Sequence, residues 1–348
     1  MVRILTVDDS PTIALFLKLI LTKEVDFEIV GHANNGLEAV QLARLLRPDI
    51  IIMDVNMPIM DGLEATCIIL QERAVPILIF SALVDDPKLK ISFRAIEKGA
   101  LAILGKPTNI TDSHFNEFKK ELITLIRGLA KVVNVETKIK FSQMTLSLKA
   151  PKEYLFKKEK KYEVVVLGAS IGGPLALQTI LSSLPENFPL PILLVQHMMS
   201  GFIDAFAEWM QKFSLLKIQI ASDRAVLKPS TVYIAPADCQ MKILRYSGNL
   251  SIKLEKSGLH EEPRPSIDFL FGSVANTCPG AAIGGLLTGM GNDGSQGLLD
   301  MYDHHCFTFV EDIKDCVMSS MVESAIKIRA VQKITPLNEV SEMLLKLL

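Results

Sequence analysis

The sequence predicts an α/β protein with two domains, each built around a doubly wound, mostly parallel sheet. The chain has 348 residues, more than one hydrophobic core usually supports. Two long stretches alternate strand-length apolar runs with segments of helical period, and the segment between them has no sustained period and ends in a lysine-rich run. We therefore expect one domain at 1–133, a linker at 134–161 and a second domain at 162–348.

Five apolar runs of strand length occur in the first stretch. They are ILTVD, FEIVGHA, DIIIMD, PILIFS and ALAIL. The segments between them have helical period, and these helices are expected to begin near Pro11, Gly36, Gly62 and Pro87. A final helix is predicted over about residues 112–133. Such alternating units predict a parallel sheet with helices on both faces.

The second stretch repeats this alternation from residue 162 onward. Its strand candidates are EVVVLGA, PILLVQH, KIQIA, TVYIAP, KILRY, AAIGGLL and HCFTFV. Helices are predicted over 174–183, 202–213, 266–277, 295–303 and 319–329. This domain is therefore α/β as well, with a few antiparallel strands expected near TVYIAP and KILRY.

Composition and charge exclude several classes of protein. Apolar residues make up 49% of the chain, charged residues 22%, and the formal net charge of -2 excludes a broad nucleic-acid-binding surface. The five cysteines are widely spaced without a C-x-x-C pair, so we expect buried, reduced thiols. No apolar run approaches the roughly 20 residues that span a bilayer. Two acids within the first nine residues do not fit a signal peptide. We expect a cytoplasmic protein without direct membrane insertion.

Polar side chains at the strand ends of the first domain predict a phosphoryl-accepting site. The candidates are Asp8, Asp9, Asp54, Ser81 and Lys106. The carboxyl ends of parallel strands meet at one edge of a sheet, so these groups are expected to converge. Three crowded carboxylates repel one another unless a hard cation such as Mg²⁺ lies among them. Mg²⁺ and the lysine would neutralise an incoming phosphoryl group, with the central Asp54 as its acceptor.

The motifs VDDS, IIMDVNMPIMDGLEA, FSA and GKP make residues 1 to about 125 similar to the receiver domain of two-component response regulators. This resemblance implies a flavodoxin-like (βα)5 fold and phosphorylation of Asp54 by a histidine kinase. It also implies that Asp8 and Asp9 are the acidic pair of a Mg²⁺ site to which Asn56 offers its backbone carbonyl.

Ser81 and Lys106 would, by the same resemblance, bind the phosphoryl oxygens. One position departs from the receiver pattern. Receivers usually have Tyr or Phe three residues before the lysine, as part of the switch that reports phosphorylation, whereas this chain has Ile103. The departure concerns aromatic switching and leaves the phosphorylation site itself complete.

The segment VVVLGASIGGPLAL, residues 164–177, predicts a second site in the second domain. Its GASIGG turn lacks the lysine and the spacing of a P-loop. A strand, a sharp turn of small residues and a helix form a context that exposes a serine hydroxyl and directs backbone amides toward an oxyanion. Ser170 is therefore a candidate nucleophile, and it needs a nearby base.

His197 and Asp293 are the candidate partners of Ser170. His197 ends the apolar strand PILLVQH, and Asp293 lies in the glycine-rich loop after AAIGGLL, from which it would orient the imidazole. The same loop, residues 289–294, also matches the dinucleotide fingerprint G-x-G-x-x-G. Asp293 within that turn would repel a pyrophosphate, so nucleotide binding is kept only as an alternative.

The motifs GASIGG, VQHM, LKPSTVYIAP, RPSIDFLF and TGMGNDGSQGL make residues 162 to about 330 similar to the catalytic domain of the chemotaxis protein-glutamate methylesterases, the CheB family. A receiver joined to this domain by a linker is that family's arrangement. The resemblance implies Ser170 as nucleophile, His197 as base, Asp293 as orienting acid and the Met290 amide in the oxyanion hole. The ester step needs no cofactor.

The substrate that the resemblance implies is a glutamyl methyl ester on the cytoplasmic helices of a chemoreceptor, where many members also deamidate glutamine. Three positions depart from the family pattern. Ile171 replaces the usual Thr, Gln240 stands where a His is expected, and residues 320–322 read Ser-Met-Val instead of the common Gly-Met-Pro. The receiver is expected to obstruct the Ser170 cleft until Asp54 is phosphorylated. A receiver-controlled binding module without catalysis is the alternative class.

Overall fold

The computed structural model describes residues 1–82, 89–107, 112–132, 156, 162–256 and 265–348. The chain divides into two compact units, Met1–Leu146 and Ser147–Leu348. The division falls within the segment predicted to be a linker, and that segment lies outside the described residues except for residue 156.

A five-stranded parallel sheet forms the centre of the first unit, with strand order β2-β1-β3-β4-β5. The strands are β1 (Val2–Val7), β2 (Phe27–Ala33), β3 (Ile50–Met53), β4 (Ile77–Ala82) and β5 (Ala102–Lys106). Every residue of β3 is buried, as expected of an apolar strand covered on both faces. The predicted (βα)5 class is confirmed.

Within the described residues, five helices accompany this sheet. They are α1 (Pro11–Leu21), α2 (Gly36–Leu46), α3 (Gly62–Glu72), α4 (Leu89–Glu97) and α5 (Asp112–Leu129). The first three begin where the sequence predicts, because a polar side chain before each accepts a hydrogen bond from a backbone N–H of the first turn. The predicted start near Pro87 lies outside the described residues, and α5 ends before the predicted residue 133.

The second unit contains a seven-stranded sheet of order β14-β13-β12-β6-β7-β9-β8, in which all pairs are parallel. Its strands are β6 (Val164–Ala169), β7 (Ile192–Gln196), β8 (Lys217–Ile220), β9 (Thr231–Ile234), β12 (Ala282–Leu286), β13 (Phe307–Glu311) and β14 (Lys333–Thr335). A separate antiparallel pair consists of β10 (Gln240–Tyr246) and β11 (Asn249–Glu255).

The expectation of antiparallel pairing is wrong for TVYIAP and right for KILRY. Strand β9 is buried along its whole length and pairs parallel with both β7 and β8. Strand β10 forms a hairpin with β11, because Ser247 and Gly248 both adopt positive φ in the two-residue turn between them. Neither β11 nor the short β14 was predicted from the sequence.

Six α-helices belong to the described part of the second unit. They are α6 (Gly173–Leu181), α7 (Ile203–Gln211), α8 (Ile267–Thr277), α9 (Ser295–Asp303), α10 (Ser320–Lys327) and α11 (Val340–Leu347). The sequence predicted all of them except α11. Within the described ranges, no helix combines the length and apolar character needed to cross a bilayer. The cysteines are free thiols, of which Cys278, Cys306 and Cys316 are buried and the other two half-buried.

Strand order in the second sheet creates a crevice at β6. The chain leaves β6 toward β7 on one side, and the later strand β12 pairs with the opposite edge of β6. In open α/β sheets, the space beyond the carboxyl ends of the strands at such a reversal is the usual place for a site. The loops after β6, β7 and β12 therefore meet there.

Candidate active site

Two buried aspartates lie side by side at the carboxyl edge of the first sheet. Asp8 follows β1 and Asp54 follows the neighbouring β3, and the Asp54 amide donates a 2.9 Å hydrogen bond to the Val7 carbonyl. Their residues are 0% and 4% exposed, whereas Asp9 is exposed. One carboxylate oxygen from each of the three aspartates lies within 4.8 Å of the others. The predicted acidic cluster is present.

Lys106 supplies the positive charge at this cluster. Its Nζ lies 2.8 Å from Asp8 Oδ2 and 2.9 Å from Asp54 Oδ2. Burial raises the pKa of Asp54 and outweighs the opposing effect of Lys106, while the neighbouring Asp8 raises the pKa further. One ammonium thus serves two buried carboxylates. This set of three hard oxygen ligands fits Mg²⁺, because a divalent cation would supply the charge that the cluster lacks.

Ser81 and Asn56 are the other two residues predicted for this site, and they lie at or just beyond the ends of the neighbouring strands β4 and β3. Ser81 is buried near the end of β4, the strand next to the one that ends in Lys106. Asn56 is exposed and lies two residues beyond Asp54. Ile103, the departure from the receiver pattern, is half-buried in β5 opposite Ile79.

Ser170 occupies a tight turn between β6 and α6. Its amide donates to the Thr288 carbonyl at 3.0 Å, and its own carbonyl accepts from the Gly173 amide at 2.9 Å. Gly172 has a φ of +81°, and a Cβ at Gly173 would lie 2.0 Å from Gln196 Oε1. The GASIGG composition follows from these two constraints, since neither position accommodates a larger residue in this turn.

His197 lies at the end of the neighbouring strand, as predicted. Its amide continues the pairing of the two strands by donating to the Ala169 carbonyl at 3.0 Å. The side chain of Gln196 donates from Nε2 to the carbonyls of both Ser170 (2.8 Å) and His197 (2.9 Å). This buried amide therefore links the two segments, a role that the sequence analysis did not identify.

The imidazole of His197 contacts Asp293 directly. The distance from His197 Nε2 to Asp293 Oδ2 is 2.8 Å, which joins two segments 96 residues apart in the sequence. Because Nε2 is engaged, Nδ1 is the ring nitrogen left to act as a base. In the described part of the chain, Ser170 Oγ makes no hydrogen bond to the imidazole. The structure thus forms the acid–imidazole pair and sets the serine turn on the adjacent strand.

Asp293 is anchored at the N-terminus of α8. Asp293 Oδ1 accepts from Ser266 Oγ at 2.9 Å and from the Asp268 amide at 3.0 Å, and Oδ2 accepts from the Ile267 amide at 2.8 Å. Burial would raise the pKa of Asp293, but the hydrogen bonds from His197 and from the helix amides outweigh it, so its pKa is lowered. The carboxylate is therefore ionised beside the imidazole.

The contacts of two further residues around this anchor were not predicted from the sequence. Gln240 Oε1, where the family pattern expects a histidine, accepts from the Ser266 amide at 2.7 Å. Asp268 accepts from the Gly297 amide at 2.6 Å, and burial next to Asp293 raises the pKa of Asp268 to about 6. The run Pro-Ser-Ile-Asp at 265–268 is a helix-start pattern and could have indicated this cap.

Thr288 connects the glycine-rich loop to the serine turn. Besides accepting from the Ser170 amide, Thr288 donates from Oγ1 to the Ile171 carbonyl at 2.9 Å and from its amide to Glu311 Oε2 at 2.8 Å. A Cβ placed on Gly289 would lie 2.8 Å from the Cβ of Ser170. The loop that carries Met290 therefore lies against the serine.

This fold and these sites define a class of protein. It is a two-domain α/β protein with an acidic receiver-like edge and a hydrolase-like serine turn. Sequence profiles of known families agree with it. The profile described as CheB methylesterase matches residues 165–344, and the one described as response regulator receiver domain matches residues 4–114. The chain therefore belongs to the CheB methylesterase family and carries a receiver domain.

Named relatives match along the whole chain. The protein-glutamate methylesterase/protein-glutamine glutaminase of Nitrosospira multiformis is 36% identical over 350 residues, which cover 100% of this chain and 97% of that protein. The Thermotoga maritima protein of the same name is 33% identical and covers 99% and 98%. The crystal structure of the T. maritima CheB methylesterase catalytic domain has a TM-score of 0.52 and 34% identity, covering 54% of this chain and 99% of that domain.

Proposed function

We propose that this protein hydrolyses glutamate methyl esters on chemoreceptors, with Ser170 as nucleophile, His197 as general base and Asp293 as the orienting acid. The observation that carries the proposal is the 2.8 Å contact between His197 Nε2 and Asp293 Oδ2, on the strand next to the Ser170 turn. The names of the relatives support a protein glutamate methyl ester as substrate, and the resemblance to the chemotaxis family supports a chemoreceptor as the protein that carries it.

In the proposed reaction, Nδ1 of His197 takes the proton of Ser170 Oγ while this oxygen attacks the ester carbonyl. The imidazolium returns the proton to the departing oxygen, which leaves as methanol, and an acyl-serine forms. Nδ1 then takes a proton from water as the water oxygen attacks the acyl carbonyl, and the imidazolium returns this proton to Ser170 Oγ as the bond to the glutamyl carbon breaks. The ionised Asp293 stabilises the imidazolium in both steps, and general base catalysis of this kind contributes about 10²- to 10⁴-fold.

The oxyanion of each tetrahedral intermediate would accept a hydrogen bond from the Met290 amide. The close approach of Gly289 to Ser170 supports this assignment. A glutamine side chain would follow the same course with ammonia as the leaving group, so we extend the proposal to deamidation of receptor glutamines. The ester step requires no cofactor.

The receiver is proposed to control this reaction. Asp8, Asp9, Asp54 and the Asn56 carbonyl would hold Mg²⁺, which neutralises phosphoryl oxygens when bound. A histidine kinase would then phosphorylate Asp54, with Ser81 and Lys106 binding the phosphoryl oxygens. The unphosphorylated receiver would obstruct the Ser170 cleft. The protein would act in the cytoplasm on the cytoplasmic helices of the receptor, without a nucleic-acid partner and without inserting into the membrane.

A serine-reactive fluorophosphonate separates this proposal from a non-catalytic binding module. The full chain is expected to be labelled at Ser170, and Ser170→Ala is expected to lose the label. Ser183→Ala is the matched control, because Ser183 is an exposed serine outside this turn whose hydroxyl bonds to the Thr179 carbonyl. Labelling that persists in Ser170→Ala and is absent from Ser183→Ala would refute the assignment of the nucleophile.

Control by the receiver has its own test. A small-molecule phosphodonor with Mg²⁺ should increase the labelling rate of the full chain at Ser170. Deleting residues 1–150 should increase it as well, because the proposed obstruction is removed. A truncated chain that is labelled at the rate of the unphosphorylated full chain, or more slowly, would contradict the inhibitory role.

A further inference from the structure

The turn at residues 289–291 is held by the N-terminal end of α10. The Gly289 amide donates to the Met318 carbonyl at 2.8 Å, and the Gly289 carbonyl accepts from the Met321 amide and from Ser320 Oγ, each at 3.3 Å. The Gly291 amide donates to Ser320 Oγ at 3.0 Å. A single hydroxyl therefore bonds to the backbone on both sides of Met290.

These bonds determine where the Met290 amide points. The Gly289 carbonyl and the Met290 N–H belong to one planar trans peptide group, so they point in opposite directions. Holding the carbonyl toward α10 therefore directs the N–H away from α10. The hypothetical Cβ of Gly289 lies 2.0 Å from Met321 Sδ and 2.8 Å from the Ser170 Cβ, which places this peptide between α10 and the serine.

Few contacts with the described residues restrain the other side of Met290. Gly291 is exposed, has a φ of +98°, and a Cβ built on it would meet no atom of the described residues within 4 Å. A glycine without packing neighbours retains wide backbone freedom, so hydrogen bonding must fix its conformation. Among the described contacts of the Gly291 amide, the bond to Ser320 Oγ performs this task.

We propose that Ser320 is a positioning residue that fixes the Met290 amide in its orientation toward the oxyanion. This inference rests on the proposed function, because it assumes that Met290 donates to the reaction intermediate. It also gives a role to a departure from the family pattern, since a glycine at this position has no hydroxyl to offer. The effect should fall on kcat, because the oxyanion forms only after the substrate is bound.

The test compares Ser320→Ala with Ser320→Thr in the full chain, with methanol release from a methylated receptor as the assay. Losing an oxyanion donor altogether costs about 10²- to 10³-fold, so losing only its support should lower kcat by about 3- to 30-fold. KM should stay unchanged, and Ser320→Thr should restore kcat because it keeps a hydroxyl. Ser319→Ala is the control, since its hydroxyl bonds to Glu323 rather than to the loop.

A second readout distinguishes positioning from a general loss of structure. The reaction of a fluorophosphonate with Ser170 passes through a similar oxyanion, so the labelling rate of Ser320→Ala should fall in parallel with its kcat. The thermal midpoint of Ser320→Ala should equal that of Ser319→Ala. A wild-type kcat in Ser320→Ala, a matching rise in KM, or no recovery in Ser320→Thr would overturn the inference. Ser170→Ala in the same assay reports separately on the proposed function, because its full activity would refute that function whatever Ser320 does.

Discussion

Asp54 and Asp293 both lie beyond the ends of parallel strands, but their surroundings have opposite effects. Their side chains are 6% and 12% exposed. Asp54 shares one lysine with Asp8, and burial raises its pKa. Asp293 accepts bonds from a helix cap, two helix amides and an imidazole, and its pKa is lowered despite burial.

The difference separates a receiving site from a preorganised one. Asp54 shares its one positive partner with Asp8, so a divalent cation and a phosphoryl group would complete its surroundings. Asp293 already has its partners, so it can hold His197 in one orientation without any ligand. The proposal that Asp54 serves regulation and Asp293 catalysis therefore rests on their different hydrogen bonds, since the residue type is the same.

Asp54→Asn gives the largest expected effect on the receiving side. Phosphate incorporation from a small-molecule phosphodonor with Mg²⁺ should be lost, because an amide cannot form the acyl phosphate. Radiolabelled phosphodonor and mass spectrometry measure it. Asp61→Asn is the control, since Asp61 caps α3 and asparagine caps equally well. Phosphate found on Asp54→Asn at the wild-type level would place the acceptor elsewhere.

Asp293→Asn gives the largest effect on the preorganised side. The amide keeps the shape of the side chain but cannot stabilise the imidazolium, so kcat for methanol release should fall by about 10³- to 10⁴-fold. Asp303→Asn, an exposed aspartate at the end of α9, should leave kcat unchanged. A loss of tenfold or less in Asp293→Asn would show that His197 does not depend on this carboxylate.

Gln196→Met tests the link between the serine turn and the histidine strand. Methionine keeps the length of the side chain but removes the donor to both carbonyls, and the resulting misplacement should lower kcat by about 10- to 100-fold. Gln211→Met is the counterpart, because Gln211 also bridges two backbone carbonyls, at the end of α7. Equal kinetic effects of the two substitutions would mean that Gln196 acts only through stability.

The two aspartates should also shift stability in opposite directions with pH. The pKa of Asp54 is raised in the folded protein, so ionisation of Asp54 lowers the free energy of unfolding as the pH rises through that pKa. Asp54→Asn should therefore stabilise the metal-free protein more at pH 7 than at pH 4. The pKa of Asp293 is lowered, so its contribution is present above its unfolded pKa and is lost in acid.

Calorimetry of Asp54→Asn and Asp293→Asn in EDTA measures these changes in stability, which are the smallest of the predicted effects. Asp293→Asn should lose about 2 kcal/mol at neutral pH, since charge-assisted hydrogen bonds contribute on that order. The loss should shrink toward low pH. Two variants with the same sign of change at pH 7 would remove the contrast between the two sites.

The sequence predicted the residues at strand ends and missed those that hold them. Parallel strands bring their carboxyl ends together, so Asp8, Asp54 and Lys106 could be expected to meet from the pattern of apolar runs alone. The same reasoning placed Ser170 and His197 at the ends of two strands, and the structure shows that these strands are neighbours.

The supporting contacts depend on which loops meet, and local patterns do not encode that. Gln240 and Ser266 bond to each other across 26 residues, and Ser320 bonds to Gly291 across 29. The predicted antiparallel direction of β9 was wrong for a related reason. A short, fully buried apolar run looks the same in the sequence whether its sheet is parallel or antiparallel.

Methanol release from a methylated chemoreceptor, measured with the full chain and with Ser170→Ala, tests the central claim most directly. We expect release by the full chain, faster with a phosphodonor, and none above background by Ser170→Ala. Equal release by both proteins would contradict the assignment of this cleft as the site of ester hydrolysis.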